Sequence, residues 1–469
     1  MTAATLLLLV AARAESPAAE VTLAQAIEAA QTHNPRLAVA DEQVAAAAAQ
    51  SRSVRAWLLP SIKAGANVLW WDSASTVPYS EFLGPLTSSD ACAGLEEYMQ
   101  KFCEEFLAGM TSGLADGGIT LRDERTEQLT AQATQPISGL YGISQGWRAA
   151  RAMEASTRSE RDQVAAEVGV EVVSVWVEAA KVAALERLAA EALKTLTAHE
   201  ARASAFYEAG LLGRNELLQL QVAKSEAELN RRRAEGGARL ARTHLALVMG
   251  SERRDLITTP LDLERLPRLD LDPAALGSAV LDISDGPQYG ALQHKAEAAT
   301  ADRNRLQAER LPQIAAIAHY ERNWGVGSLA IPESWFVGFG MEWDVWSWGR
   351  KHYDAQAAAA RARQAEVGLA ALSDGLRLQA EAAREEALMA EQAREVRKDT
   401  VAQADENLRI VQARFEAHTA TATDLLEAET LRMKAATDEI TAAYDFVVAV
   451  AKLQQALGLP IDPLAGVRW

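Results

Sequence analysis

The sequence predicts a mainly α-helical chain with a membrane β part, and three observations predict it. Two proline-free tracts of 123 and 127 residues, bounded by Pro136 and Pro260 and by Pro332 and Pro460, are rich in Ala, Glu, Gln, Arg and Leu. Proline costs about 3 kcal/mol inside a helix, so these tracts read as very long helices. Short segments beside them alternate apolar and polar residues as strands do. The whole plan also occurs twice: Asn34-Pro35 to Leu59-Pro60-Ser61-Ile62 recurs as Gly286-Pro287 to Leu311-Pro312-Gln313-Ile314, with each pair of prolines 25 residues apart.

Composition agrees with long, closely packed helices. About 95 of the 469 residues are alanine and only 6% are aromatic, so the 49% hydrophobic content is mostly a small side chain. A net charge of −17 excludes general affinity for nucleic acid, which needs clustered Lys and Arg. No run of 18 apolar residues is present to form a transmembrane helix.

In chain order, residues 1–14 read as a signal peptide. Leu6 to Ala12 is apolar and Ala12-Arg13-Ala14 has the small-x-small cleavage pattern. An apolar tail on a cytosolic chain is the alternative. Residues 15–250 form the first repeat. Thr22 and Gln25 are spaced as a capping box and open a helix, and a second helix covers about 36–58. Strands are expected at about 61–71 and 127–137, the first from Ile62, Ala64, Ala66, Val68 and Trp70 alternating with Lys63, Gly65 and Asn67. The segment 72–125 between them reads as an external loop with a short helix at Leu95–Leu107. It holds Cys92 and Cys103, which suggest a disulfide in an exported chain and leave two free thiols as the alternative.

A long helical hairpin over 142–250 completes the first repeat, and 251–273 is the linker. The second repeat, 274–458, has strands at about 313–324 and 334–347 and a hairpin over 349–458; 459–469 is the C-terminal tail. Trp335, Val337, Phe339, Met341, Trp343 and Val345 make the clearest strand face, opposite Gly338, Gly340, Glu342 and Asp344. Within 142–207 the residues Val164, Val168, Val172, Val175, Ala179, Val182 and Leu185 recur at coiled-coil spacing. The hairpin turns also match, Phe206 to Gly210 and Glu216-Leu-Leu-Gln against Phe415 to His418 and Asp424-Leu-Leu-Glu.

Strands of about ten residues are long enough to cross an outer membrane at a tilt. Four from one chain cannot close a barrel, and an open edge is not tolerated in hydrocarbon, so several copies must combine, giving 8, 12 or 16 strands. Tryptophan favours membrane interfaces, and Trp70, Trp71, Trp335, Trp343 and Trp346 lie in or beside the strands.

Taken together, Thr22-Leu-Ala-Gln-Ala-Ile, Asn34-Pro35, Leu59-Pro60, Leu311-Pro312, the Phe206 to Gln219 turn and Leu457-Gly458 make the chain resemble the TolC-type outer-membrane efflux proteins. The resemblance implies a homotrimer whose 12 strands form one outer-membrane β-barrel, joined to a long periplasmic α-helical barrel. It implies as partners a periplasmic adaptor protein, an inner-membrane transporter and outer-membrane lipid. It also implies an acidic periplasmic entrance at Asp424 and Glu427, with Glu216 at the matching position of the first hairpin, and adaptor contacts at Gly210, Leu211, Thr419, Thr421 and Thr423. Capping of a helix N-terminus is the plainer role for the acids. Three departures stand at the second turn: Ala420 where some members have arginine, Phe415 where some have tyrosine, and His418 in place of the usual glycine.

The expected function is a passive export duct for small molecules or polypeptides. A periplasmic structural coiled-coil protein without channel activity is the alternative. The seven histidines show no ligand spacing, and no nucleotide-binding loop or catalytic constellation stands out, so neither cofactor, metal nor enzymatic activity is expected.

Overall fold

The computed structural model describes residues 19–79, 92–114, 117–252, 256–263, 265–269, 286–327 and 330–465. The expected signal peptide, the start of the second repeat at 274–285, and parts of the external loop, linker and tail lie outside these residues. The chain divides into two compact units: Met1–Ala48, Ala152–Glu297 and Arg363–Trp469 form one, and Ala49–Arg151 with Ala298–Ala362 the other.

The described elements run in the order β1 (Ala19–Val21), α1 (Leu23–His33), α2 (Pro35–Ala56), β2 (Ser61–Trp70), β3 (Ser75–Pro78), α3 (Glu97–Leu114), β4 (Gly118–Pro136), α4 (Leu140–Glu208), α5 (Arg214–Val248), β5 (Leu256–Thr258), α6 (Pro287–Ala308), β6 (Gln313–Val326), β7 (Glu333–Glu342), α7 (Arg350–Glu416) and α8 (Ala422–Ala456). α4 and α7 have 69 and 67 residues, each roughly 100 Å long, and α5 and α8 have 35 each. α2 and α6 have 22 each and both begin on proline, whose missing N–H is no loss at a first helical position.

In the first unit the capping box is formed, with Thr22 Oγ1 accepting from the Gln25 amide at 3.3 Å and Gln25 Oε1 accepting from the Thr22 amide at 3.0 Å. Trp176 of α4, Leu245 of α5 and Tyr444, Phe446 and Leu453 of α8 are buried together with Ala26 and Ala30 of α1 and Ala387 of α7. Alanine sits where helices approach most closely, and each buried large side chain contributes about 1.5–3 kcal/mol. Two polar anchors join distant chain segments. Trp176 Nε1 donates to the Val21 carbonyl at 3.0 Å, and buried Asn34 donates from Nδ2 to the Val248 carbonyl at 2.9 Å. Gly250 lies so close to the His33 carbonyl that a Cβ would fall 2.3 Å from it.

The 251–273 segment does more than link. Its Leu256–Thr258 pairs in parallel with Ala19–Val21, a two-stranded contact too short to be read from alternation.

The second unit is built on one open sheet in the order β2-β4-β6-β7, with β3 continuing along β4 beyond β2. Two strand limits differ from expectation. β4 begins at Gly118 rather than near 127 because β3 pairs with its outer half, Pro78 opposite Gly118, so the two ends of the expected 72–125 loop are ladder. β7 ends at Glu342 rather than near 347, because β6 begins at Gln313 opposite Glu342 and offers no further partner to Trp343 or Val345. The loop helix is also longer than expected, Glu97–Leu114 in place of Leu95–Leu107, with Cys92 and Cys103 bonded and their Cα atoms 6.0 Å apart.

Candidate functional site

The sheet brings the alternating residues of four strands into register. Ile62 lies opposite Ala133, Ala133 opposite Ala318, and Ala318 opposite Val337. The neighbouring row is Ala64, Ala131, Tyr320 and Trp335. These rows form one apolar face. On β7 it is nearly bare, with Trp335 73%, Val337 71%, Phe339 79% and Met341 68% exposed. The opposite face carries Lys63, Gln132, His319 and Phe336 in one row and Gly65, Thr130, Glu321 and Ser334 in another, so it is mainly polar, with Phe336 its apolar member. Its polar groups bond across strands: Asn67 donates to Gln128 at 3.2 Å and Gln128 to Glu321 at 2.8 Å. One-residue alternation thus separates an oily surface from a wet one.

On β7 Trp335 ends the run of large apolar residues and Trp343 and Trp346 follow its other end, with Trp343 Nε1 donating to the Arg310 carbonyl at 3.3 Å; Trp70 lies further along the same face of β2, opposite Arg125. Trp71 departs from its expected place among them. One residue beyond Trp70, it points to the polar side, where its Nε1 donates to Thr126 at 3.0 Å and the Arg122 guanidinium stacks 3.8 Å from its ring centre.

The hairpin turns lie in the other unit. Both close in the same way. Gly210 has φ +73° and His418 φ +54°. Leu211 N donates to the Phe206 carbonyl at 2.8 Å, and Thr419 N to the Arg414 carbonyl at 2.8 Å. A histidine therefore occupies the left-handed position that favours glycine.

The acids divide by role. Glu216 Oε2 accepts from the Gly213 amide at 3.1 Å, and Asp424 Oδ2 from the Thr421 amide at 2.8 Å and the Thr421 hydroxyl at 2.9 Å. These bonds hold the exposed Asp424 carboxyl below its ordinary range. Both acids thus cap their own helices. Glu427 instead lies exposed along a groove of about 860 Å³ between α5 and α8, lined by Leu218, Val222, Leu426 and Leu431, with Lys434 at its edge.

The threonines of the second turn are engaged: Thr419 Oγ1 donates to the Arg414 carbonyl at 3.0 Å and Thr423 Oγ1 to Gln219 of the other hairpin at 3.3 Å. Leu211 is exposed.

Several tip features were not legible in the sequence. Phe206 and Phe415 pack with Ala203, Leu217, Leu220, Ala422 and Leu425 in a small core. Arg202 forms an ion pair with Glu416 from the other hairpin. Further along, Arg432 of α8 reaches Asp405 of α7 at 3.1 Å and Glu191 of α4 at 3.5 Å. Nearby Glu429 is 3% exposed and neither carboxyl oxygen has a hydrogen-bond partner, so burial raises its pKa. Most of these couplings join residues some 200 positions apart, which periodicity does not connect. Among the described residues no cluster of His, Cys, Asp and Glu could hold a metal ion.

Residues 284–459 match the family model described as outer membrane efflux protein. No curated protein sequence matches the chain. Among solved structures, CusC, described in crystal structures of folding and transmembrane channel formation, aligns at TM-score 0.76 and 17% identity over 93% of this chain and 92% of its own. The Neisseria gonorrhoeae MtrE outer membrane channel in its open state aligns at 0.73 and 18% over 95% and 91%. The Campylobacter jejuni CmeC outer membrane channel aligns at 0.73 and 13% over 93% and 85%. At these identities the likeness is one of fold, and it extends along nearly the whole chain.

Proposed function

We propose that the chain is the outer-membrane channel of a tripartite export system, a passive duct that receives small molecules or polypeptides from a periplasmic adaptor and an inner-membrane transporter. The observation that carries this reading is the registered apolar face on a sheet whose terminal strands β2 and β7 each have one neighbour. Left in water, that face would expose large side chains at a cost of about 25 cal/mol per Å². In a bilayer the face is solvated by lipid and the edges must pair, because no water satisfies their backbone groups.

Three copies would supply 12 strands and close one barrel, the polar face with Gln128, Thr130 and Glu321 lining its lumen. α4, α5, α7 and α8 of the three copies would form the periplasmic helical barrel, and the duplication of strand pair and hairpin within one chain makes its wall from six similar units. At the turns, Glu427 is the acid best placed to narrow and charge an entrance, since Asp424 and Glu216 are held by their own helix caps; the three acids in three copies would form a cation-attracting ring. Gly210 and Leu211, with Thr419, Thr421 and Thr423, would present the adaptor contact. A periplasmic coiled-coil protein would not account for Phe339 and its neighbours.

The test is fractionation of cells producing the mature protein. A heat-modifiable trimer in the outer-membrane fraction is expected, and recovery in the soluble fraction alone would refute the duct.

A further inference from the structure

Arg432 ties α8 to both long helices, pairing with Asp405 of α7 at 3.1 Å and with Glu191 of α4 at 3.5 Å. It lies about 12 Å along α8 from Asp424, in the half next to the turns. Glu429 stands three residues before it, on the same side of the helix. That residue is 3% exposed, and neither carboxyl oxygen accepts a hydrogen bond. Among the described residues the charged groups acting on it are Arg432 on its own helix, Glu191 on α4 and Asp405 on α7.

The duplication supplies an internal comparison. Glu216-Leu-Leu-Gln aligns with Asp424-Leu-Leu-Glu, so Gln221 and Lys224 stand where the second repeat has Glu429 and Arg432. One acid satisfies both: Gln221 donates to Glu200 at 3.4 Å, and Lys224 pairs with the same carboxylate at 3.4 Å. The amide is neutral at every pH, whereas the carboxyl in its place takes a charge and has no donor waiting for it.

We propose that Glu429 and Arg432 form a proton-switched clamp: while Glu429 is protonated, Arg432 holds α8 to α4 and α7, and when Glu429 ionises it draws the guanidinium onto its own helix and releases both. Exposure decides the competition for Arg432. The side chains of Asp405 and Glu191 are 53% and 59% exposed, so water replaces the guanidinium at either. Buried Glu429 has no such replacement, and the penalty for leaving its carboxylate unpaired is far larger than the loss of an exposed ion pair. Burial is the main cause that raises the pKa of this carboxyl, so the clamp is closed in acid and is lost as pH rises through the folded value. The clamp goes beyond the duct reading; only its consequence there, an entrance held tighter in acid, rests on that reading.

The test is amide exchange of residues 422–435 in the full protein at about pH 5 and about pH 8, corrected for the intrinsic effect of pH. The native chain is expected to exchange at least about fivefold faster at the higher pH, and Glu429→Gln to differ by less than about twofold. An Asp405→Asn, Glu191→Gln double variant, which lacks the clamp, is expected to exchange at pH 5 as fast as the native chain does at pH 8 and to change little with pH. A pH dependence as large in Glu429→Gln as in the native chain overturns the clamp. So does one that persists in the double variant, since burial alone would then be acting. In planar bilayers the native conductance is expected to rise about twofold between these pH values and that of Glu429→Gln to stay level. A level native conductance beside the expected exchange overturns the consequence for the entrance, and a protein that forms no channel overturns the duct reading, while the clamp stands or falls on exchange.

Discussion

Phe206 of α4 and His418 at the end of α7 meet edge to face, their ring centres 4.6 Å apart, across two different hairpin turns. Phe415 stands 6.1 Å from Phe206 and is buried. The turns are therefore joined by apolar packing, with the Arg202–Glu416 ion pair beside it. A phenylalanine serves that core without a hydroxyl to satisfy.

Phe415→Ala is expected to cost about 3–5 kcal/mol, and Phe415→Leu less than about 1.5 kcal/mol. Hydrogen exchange of residues 206–220 should accelerate sharply in the first variant and little in the second. His418→Gly relieves a left-handed conformation worth about 1–2 kcal/mol and loses a ring contact worth about 0.5–1.5 kcal/mol, so its stability should stay within about 1 kcal/mol of native.

Asp424 has a lowered pKa through its bonds to Thr421. A lowered value means that its stabilisation of the first turn of α8 is present above the unfolded value of 3.8 and is lost as pH falls through the folded value. Amide protection at 424–426, measured from pH 6 downward, should fall in that acid window, and Asp424→Ala should abolish the dependence. Glu427→Gln is expected to lower the cation-to-anion permeability ratio about twofold in planar bilayers. An unchanged ratio would remove Glu427 from the entrance.

Glu429 shows the opposite sign. Arg432 on its own helix, Glu191 on α4 and Asp405 on α7 act on it, and burial is the largest cause of its raised pKa. The protonated acid is favoured in the folded chain, so the penalty is absent below the unfolded value of 4.5 and grows as pH rises towards the folded value. Glu429→Met should stabilise the protein at pH 7.5 by about 1–3 kcal/mol, the cost of an unsatisfied buried polar group. Thermal melts at pH 4 should show the gain shrinking.

Neighbouring positions on β7 provide a test of sidedness. Phe339 lies on the apolar face and Gly338 on the other, where an added Cβ meets nothing within 4 Å. Phe339→Arg is expected to cost about 2–4 kcal/mol of insertion free energy, seen as reduced outer-membrane yield. Gly338→Arg should insert normally and reduce conductance. Equal insertion of both variants would contradict the sided sheet.

Local order was legible where neighbouring residues decide it. Thr22 with Gln25 specified a cap, proline-free tracts specified α4 to α5 and α7 to α8, and the alternation at Trp335 to Met341 specified which residues of β7 share a face. Legibility failed where pairing decides. Trp71 looked like one more interfacial tryptophan until its neighbours Arg122 and Thr126 placed it on the polar side. Leu256–Thr258 looked like linker because three residues cannot show a period, and β7 looked longer because alternation continues past the point where its partner begins.

By itself the sequence determined the helices, the turns and the sidedness of the strands, because propensity, capping and period-two alternation are properties of adjacent residues. Tertiary structure alone decided that Glu427 lies along a groove between α5 and α8, that Arg202 meets Glu416, and that Glu429 is buried without a hydrogen-bond partner. Those outcomes depend on desolvation and on contacts between segments some 200 residues apart, which exist only once the hairpins have packed.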